Sequence, residues 1–265
     1  MDGINSTYQK WKSLQSHWED EDFLKSLISL MRLRYRRLDE RVGVIFRNEF
    51  RKLTDKPLLL DVGCGRAEFA AFMRNQWKDD PEQQRDVWNY LGLEPSAEQL
   101  GKREVPTMGL GFIQAMAEKV PLPDMAAHGV LLKEVIDHCY DPVSVFREAK
   151  RVMKPGGVLV VTVTNDKSYF KKLLPWVNRA NKSKQTDHLF FFGPDDLRKL
   201  AEATQFDRVM VETYNYLKLP RLLESALGLL GPVICRWALN LTDTAGKILL
   251  PGLGGGIILK AYKKQ

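Results

Sequence analysis

Apolar residues recur at helical spacing through the first part of the chain. Phe23, Leu27, Leu30, Met31, Leu38, Val42, Ile45 and Phe46 follow one another in steps of one helix face, with no proline between them. They predict a helical N-terminal cap over residues 1–56, closed by Thr54, Asp55, Lys56 and Pro57. From Pro57 the texture changes. Short apolar runs at 58–62, 90–93, 129–135 and 157–163 alternate with helix-like stretches, the pattern of βαβ units that build a parallel sheet. A helix is predicted from Pro194 to about Thr204, then a strand over 208–216, and a last strand over 256–262 behind a turn containing Gly252, Gly254 and Gly255. The two late strands are separated by about 36 residues rich in Leu, Gly and Pro, long for a connection inside one domain and so a candidate for function.

Composition narrows the class. The chain has 265 residues, 44% of them hydrophobic, enough to build a core without staples. Cys64, Cys139 and Cys235 stand far apart with no CxxC pair, so neither a zinc site nor a disulfide framework is implied and a reducing compartment is expected. The first dozen residues lack the apolar stretch of a signal peptide, and no apolar run approaches the roughly 18 residues of a membrane span. A cytoplasmic protein is expected. The formal charge of +7 is unevenly placed: Lys and Arg exceed Asp and Glu by 12 to 9 over 1–56 and by 16 to 9 over 166–265, whereas residues 57–165 hold 12 against 15. The middle of the chain is therefore slightly acidic and does not favour an anionic ligand.

The sharpest signal is LLLDVGCGRAEF at 58–69. An apolar strand ends in Asp61, and Gly63, Cys64 and Gly65 form a turn before a helix near Glu68. Glycines there let a ligand approach the backbone at the carboxyl edge of a parallel sheet. A dinucleotide fingerprint, GxGxxG, would require glycine at position 68, where this chain places an acid. Asp61 and Glu68 favour a cationic ligand instead. The segment resembles the first motif of class I S-adenosylmethionine-dependent methyltransferases of the type 11-like group, and further segments agree in order: YLGLEPS, AMAEKVPLPD, KEVIDHCYDP, FREAKRVMKPGGVLVVTVTN and HLFFFGPDDLRKLAEATQF. The resemblance covers residues 57–216 and the last strand. It implies a Rossmann-like, doubly wound, mostly parallel seven-stranded sheet with an antiparallel last strand, forming residues 57–265, with substrate-side insertions at 166–190 and 218–253. It implies S-adenosyl-L-methionine as cofactor, held by Asp61, Gly63, Cys64 and Gly65 in the turn, by Glu94 and Pro95 at the ribose, by Met116, Ala117 and Glu118 along the adenine, and by Lys133. Departures from the pattern are Met116 for the usual Asp, His128-Gly129 for Phe-Asp and Gln205 for Gly. Cys64 reads as a small buried residue, since methyl transfer from a sulfonium needs no thiol nucleophile.

Methyl transfer to oxygen also needs a proton acceptor, and histidine is the natural one. Of four histidines, His17 falls in the N-terminal cap and His128 precedes a strand, with a structural or adenine-side role. His138, after the fourth strand, is the leading candidate base, and His188 the second. Neither pair has metal-ligand spacing, and no metal is expected. The acceptor is expected to be a small, partly hydrophobic metabolite methylated on oxygen. Two alternatives stand beside this reading, an RNA methyltransferase and a non-catalytic cofactor-binding scaffold. Nucleic acid is disfavoured because Asn165 is followed by Asp166 and not by the Pro-Pro of base-amino methyltransferases. A peripheral membrane or lipid contact through 218–253 stays open, since Leu there alternates with Lys218, Arg221 and Arg236.

Overall fold

A computed structural model describes residues 29–54, 56–77, 88–103, 110–173, 188–217, 227 and 229–265. Its elements, in chain order, are α1 (Ser29–Phe50), β1 (Leu58–Val62), α2 (Glu68–Trp77), β2 (Asn89–Glu94), α3 (Ala97–Gly101), β3 (Leu110–Gln114), β4 (Ala127–Lys133), α4 (Pro142–Val152), β5 (Met153–Thr164), α5 (Tyr169–Leu173), α6 (Pro194–Ala203), β6 (Asp207–Tyr214), α7 (Pro232–Leu249) and β7 (Gly256–Tyr262). The strands form one seven-stranded sheet in the order β3-β2-β1-β4-β5-β7-β6. Neighbouring pairs from β3 through β5 are parallel, and β7 runs antiparallel to both β5 and β6. This is the doubly wound sheet that the alternation of apolar runs and helical stretches implies. The strand order reverses between β1 and β4, so a crevice opens beyond their carboxyl ends, where such sheets take their ligands.

Both faces of the sheet are covered, which explains why its strands read as nearly continuous apolar runs. On one face Leu60, Val62, Val130 and Leu132 pack with Val145, Phe146 and Ala149 of α4 and Leu197 and Ala201 of α6. On the other, Leu59, Leu131, Val158 and Ile258 meet Leu38, Val42, Phe46 and Phe50 of α1 and Phe69, Ala70 and Met73 of α2. The α1 residues are spaced by four, so they form one stripe, and burial of each contributes roughly 1.5–3 kcal/mol. Phe46 and Phe50 close on the edge of Trp88 at ring separations of 6.0 and 4.8 Å. Gly129 makes room for them, because a Cβ there would stand 2.8 Å from both rings.

Two strand ends fall short of the sequence prediction for one reason. Glu134 and Asn215 adopt positive φ, 55° and 62°, so β4 stops at Lys133 and β6 at Tyr214. The edge strand β3 was not among the predicted runs: its five residues, LGFIQ, are too few and too evenly half-buried to show a period. His17 lies outside the described residues, as do most of the 78–89 stretch, 174–187 of the first insertion and most of 218–228 of the second.

Candidate active site

The turn after β1 is built by the backbone. Gly63 and Cys64 both donate their N–H to the carbonyl of Leu93, at 2.7 and 3.0 Å, which lashes the turn to the end of β2. Gly63 has φ +70°, and a Cβ there would come within 2.4 Å of Val135, so the turn also touches the loop after β4. Gly65, at φ +54°, faces open space, with only a Glu68 carboxylate oxygen 3.9 Å from where a Cβ would stand. Glu94 closes the site from β2: one oxygen accepts the Gly65 N–H and the other the Ser96 N–H, each at 3.0 Å. Burial raises its pKa, and those two N–H groups partly offset the rise. The Pro95 carbonyl accepts the Gln114 side-chain amide at 3.0 Å, tying the same rim to β3.

Asp61 is only 2% exposed. The strand period puts it on the α1 face, beside Leu59 and not beside Val62, and its carboxylate accepts the Tyr90 hydroxyl at 2.6 Å. Burial pushes its pKa up to about 7, against the opposing hydrogen bond from Tyr90. Lys133 lies two residues beyond Leu131, the partner of Asp61 on β4, and so on the same face; it reaches Asp39 of α1 at 2.8 Å. Burial works against its charge, but Asp39, Asp61 and Glu68 outweigh that and hold it protonated with a raised pKa.

The loop after β4 brings together side chains far apart in sequence. Asp137 is buried; its carboxylate lies 3.3 Å from His188 Nδ1 and 3.8 Å from His138 Nε2. The two imidazoles meet edge to face with centroids 4.8 Å apart. Leu189 and Phe190 donate their N–H groups to the Asp137 carbonyl, at 2.8 and 3.2 Å, which fixes the approach of the 188–192 strip. Glu118 supports the loop from the other side, accepting the Tyr140 N–H at 2.9 Å. Asp137 Oδ1 is buried without a hydrogen-bond partner. The three side chains each offer a ligand atom, all within 4.8 Å of one another, so this is also a set that could hold a metal ion.

Comparison with known proteins joins this geometry to a chemistry. Residues 60–161 match the family described as a methyltransferase domain. The chain carries a class I S-adenosylmethionine-dependent methyltransferase domain. It is 26% identical over 222 residues to a ubiquinone biosynthesis O-methyltransferase of Aliivibrio fischeri, covering 78% of this chain and 85% of the relative. It is 25% identical over 179 residues to a demethylmenaquinone methyltransferase of Geobacillus kaustophilus, covering 59% and 74%. In fold it is similar to a Thermotoga maritima S-adenosylmethionine-dependent methyltransferase, described as a possible histamine N-methyltransferase: TM-score 0.54 at 18% identity, covering 87% of this chain and 95% of that one.

The residues of the methyltransferase fit its cofactor. Burial, reinforced by the carboxylates of Asp61, Glu94 and Glu68, pushes the Cys64 thiol far up, and these acidic surroundings suit a ligand whose sulfonium and ammonium are cationic. Each Glu94 oxygen accepts one N–H and keeps acceptor capacity for a ribose hydroxyl. The open backbone at Gly65 leaves space that a side chain would otherwise fill.

Other sequence-predicted residues of the methyltransferase sit differently. Cys64 is buried, its sulfur close to where a Gly92 Cβ would be, at 2.7 Å. Met116 is half-buried and Ala117 buried, while the Glu118 carboxylate is engaged with the loop after β4. His128 accepts the Leu58 N–H at 2.9 Å and contacts Lys154 at 2.9 Å, at the edge of the sheet opposite the glycine turn. Of the two roles suggested for it, the structural one agrees with this place and the adenine-side one does not. Asn165 is wholly buried and donates to the carbonyls of Gly252 and Gly254 at 3.0 and 2.7 Å, joining the first insertion to the last turn. Sequence reasoning missed Asp137, although it lies inside KEVIDHCYDP, and missed Asp39 and Tyr90, whose partners are reached only across the sheet.

Proposed function

We propose that this methyltransferase acts on a hydroxyl oxygen of a small, partly hydrophobic acceptor, with the imidazole of His188, braced by His138, receiving the proton. The observation that carries the reading is the Asp137–His188–His138 cluster on the loop that touches the cofactor turn through Val135. S-adenosylmethionine, when bound, supplies a methyl group on a sulfonium that leaves as a neutral thioether. Glu94 holds the ribose, with Pro95 beside it; the backbone of Gly63, Cys64 and Gly65 lies along the amino-acid end, and Met116, Ala117 and the Glu118 segment line the adenine. Asp61, bonded to Tyr90, and Lys133, paired with Asp39, act from beneath the turn and not at the ligand surface. Asp137 accepts from the Nδ1–H of His188, which leaves Nε2 as the atom that takes the acceptor's proton. His138 packs edge-on against that ring and holds its plane. Holding the acceptor oxygen in line with the methyl carbon contributes most of the rate, since proximity alone is capable of several kcal/mol.

The name of the Aliivibrio relative supports oxygen as the methylated atom and an aromatic, quinone-precursor type of acceptor. The test is turnover of the purified chain with S-adenosylmethionine and a panel of short-tailed catechols and phenols, read by mass spectrometry. The expected products are the O-methyl ether and S-adenosylhomocysteine. Methylation only of RNA, or cofactor binding with no transfer to any acceptor, would overturn the reading in favour of one of its two alternatives.

The buried, unpartnered Asp137 Oδ1 favours a second reading of the same cluster. In it Asp137, His138 and His188 hold a divalent cation that binds the acceptor oxygens and lowers their proton affinity. Turnover that survives exhaustive chelation excludes this second reading; turnover that is lost and restored by a divalent cation replaces the imidazole base with it.

A further inference from the structure

Helix α7 carries an apolar stripe with nothing on it among the described residues. Val233, Ile234, Trp237, Leu241 and Ile248 fall on one face of the helix, with Leu230 just before its start, and all six are exposed: Val233 at 80%, Trp237 at 66% and Ile248 at 75%. The opposite side of the helix is well anchored. Asp243 accepts from Arg37 and Arg41 of α1, at 3.1 and 3.0 Å, and from the Tyr216 N–H at 2.9 Å, and Cys235 and Leu239 are buried against Leu33. Among the described residues the stripe is therefore not part of a core face. A rigid helix with one side locked down and the other apolar has a surface for something else.

Charge identifies the occupant. Asp243, the helix's one carboxylate, is turned inward, and the cations Arg236 and Lys247 flank the stripe along one side, eleven positions apart and so nearly in line. Their contacts, with Glu40 and Glu212, are at the exposed surface, where water screens such pairs. An antiparallel pairing with a second copy centred on Leu241 would bring Arg236 of one chain against Lys247 of the other. An anionic, apolar-cored surface meets no such repulsion. No described helix is long and apolar enough to cross a membrane, so α7 would lie in the interface plane. Its position matters: α7 connects the end of β6 to the start of β7, paired at Tyr214 and Gly256, on the same edge of the sheet as the glycine turn. The loop after β5 is stitched to its exit by the Tyr169 N–H on the Leu253 carbonyl at 2.9 Å.

We infer that α7 docks the enzyme on an anionic lipid bilayer, with the acceptor edge of the sheet held next to it. The docking itself stands independently; that the acceptor is an amphiphile drawn from the bilayer rests on the function proposed above.

The test is co-sedimentation of the full chain with vesicles of phosphatidylcholine alone and of phosphatidylcholine mixed with phosphatidylglycerol. Binding is expected to the mixed vesicles, to weaken with salt, and to shift the Trp237 emission to the blue, measured against Trp237→Phe. Val233→Glu with Trp237→Glu should lower partitioning by about a hundredfold, since each buried anchor is worth roughly tenfold or more. Both positions are solvent-facing, so the variant should melt with the parent protein, and its turnover of a water-soluble catechol should be unchanged. Equal vesicle binding by this variant overturns the inference. So does a parent chain that ignores both vesicles, and light scattering that then shows a dimer lost in the variant assigns the stripe to a second copy. Vesicle binding is read without turnover, so its failure and a failure of methyl transfer are separate results.

Discussion

Replacing Asp137 with Asn separates the chemistry of the histidine cluster from its architecture. The amide matches the carboxylate in shape, and the main-chain carbonyl that accepts the Leu189 and Phe190 N–H groups is untouched, so the 188–192 strip should keep its place. What is lost is a negative charge 3.3 Å from His188 Nδ1. At an effective dielectric of about 20, an imidazolium at that distance gains about 5 kcal/mol. The His188 side chain is 29% exposed, so solvent screening reduces this to about 2–3 kcal/mol. Since 1.36 kcal/mol is tenfold in rate, kcat should fall by about 30- to 150-fold. The assay is steady-state turnover of a soluble catechol at saturating cofactor, with cofactor affinity measured by calorimetry. Cofactor affinity should hold within about twofold, since Asp137 lies on the acceptor side. A kcat within threefold of the parent value would refute the reasoning, and so would a loss located wholly in cofactor binding.

Other outcomes follow from the cofactor turn and from the buried charges. Glu94→Gln should weaken cofactor binding by about 10- to 150-fold, the range of a hydrogen bond to a charged group, as read by calorimetry. Gly63→Ala should lower the melting temperature, because its Cβ would collide with Val135, whereas Gly65→Ala, facing open space, should weaken cofactor binding with a smaller effect on melting. The folded-state pKa of Asp61, about 7, exceeds the ordinary value of 3.8, so its contribution to stability is full below about pH 4 and lost as pH rises through 7. In urea melts at pH 5 and pH 8, Asp61→Asn should therefore gain on the parent at the higher pH; parallel behaviour at both would contradict a buried, reluctant carboxylate. Asp243→Ala leaves Arg37 buried without its counter-charge, with only the Asn240 side chain still accepting from it, and should cost about 3–5 kcal/mol, visible as a melting point lower by roughly 6–20 °C.

The sheet and the cofactor turn were legible because their signals are local. Buried strands read as apolar runs, and glycines that must take positive φ next to an acid-ended strand mark a ligand turn within a dozen residues. Strand boundaries were less legible: Glu134 and Asn215 end β4 and β6 by their positive φ, which a Glu does not announce and an Asn only favours.

The order of motifs along the chain determined the fold, the edge on which ligands bind, and the two histidines to weigh. It ranked His138 ahead of His188 as the base. Tertiary structure set both rings against one buried Asp137, because the loop after β4 and the strip before α6 come from segments about 50 residues apart and meet only when the sheet has formed. The same holds for Asp61 and Lys133, which sequence placed at the cofactor. The two-residue period of the strands puts both on the α1 face, where Tyr90 and Asp39 meet them. Hydrophobic periodicity reports that a residue alternates. Which of the two faces it then occupies depends on what has packed there.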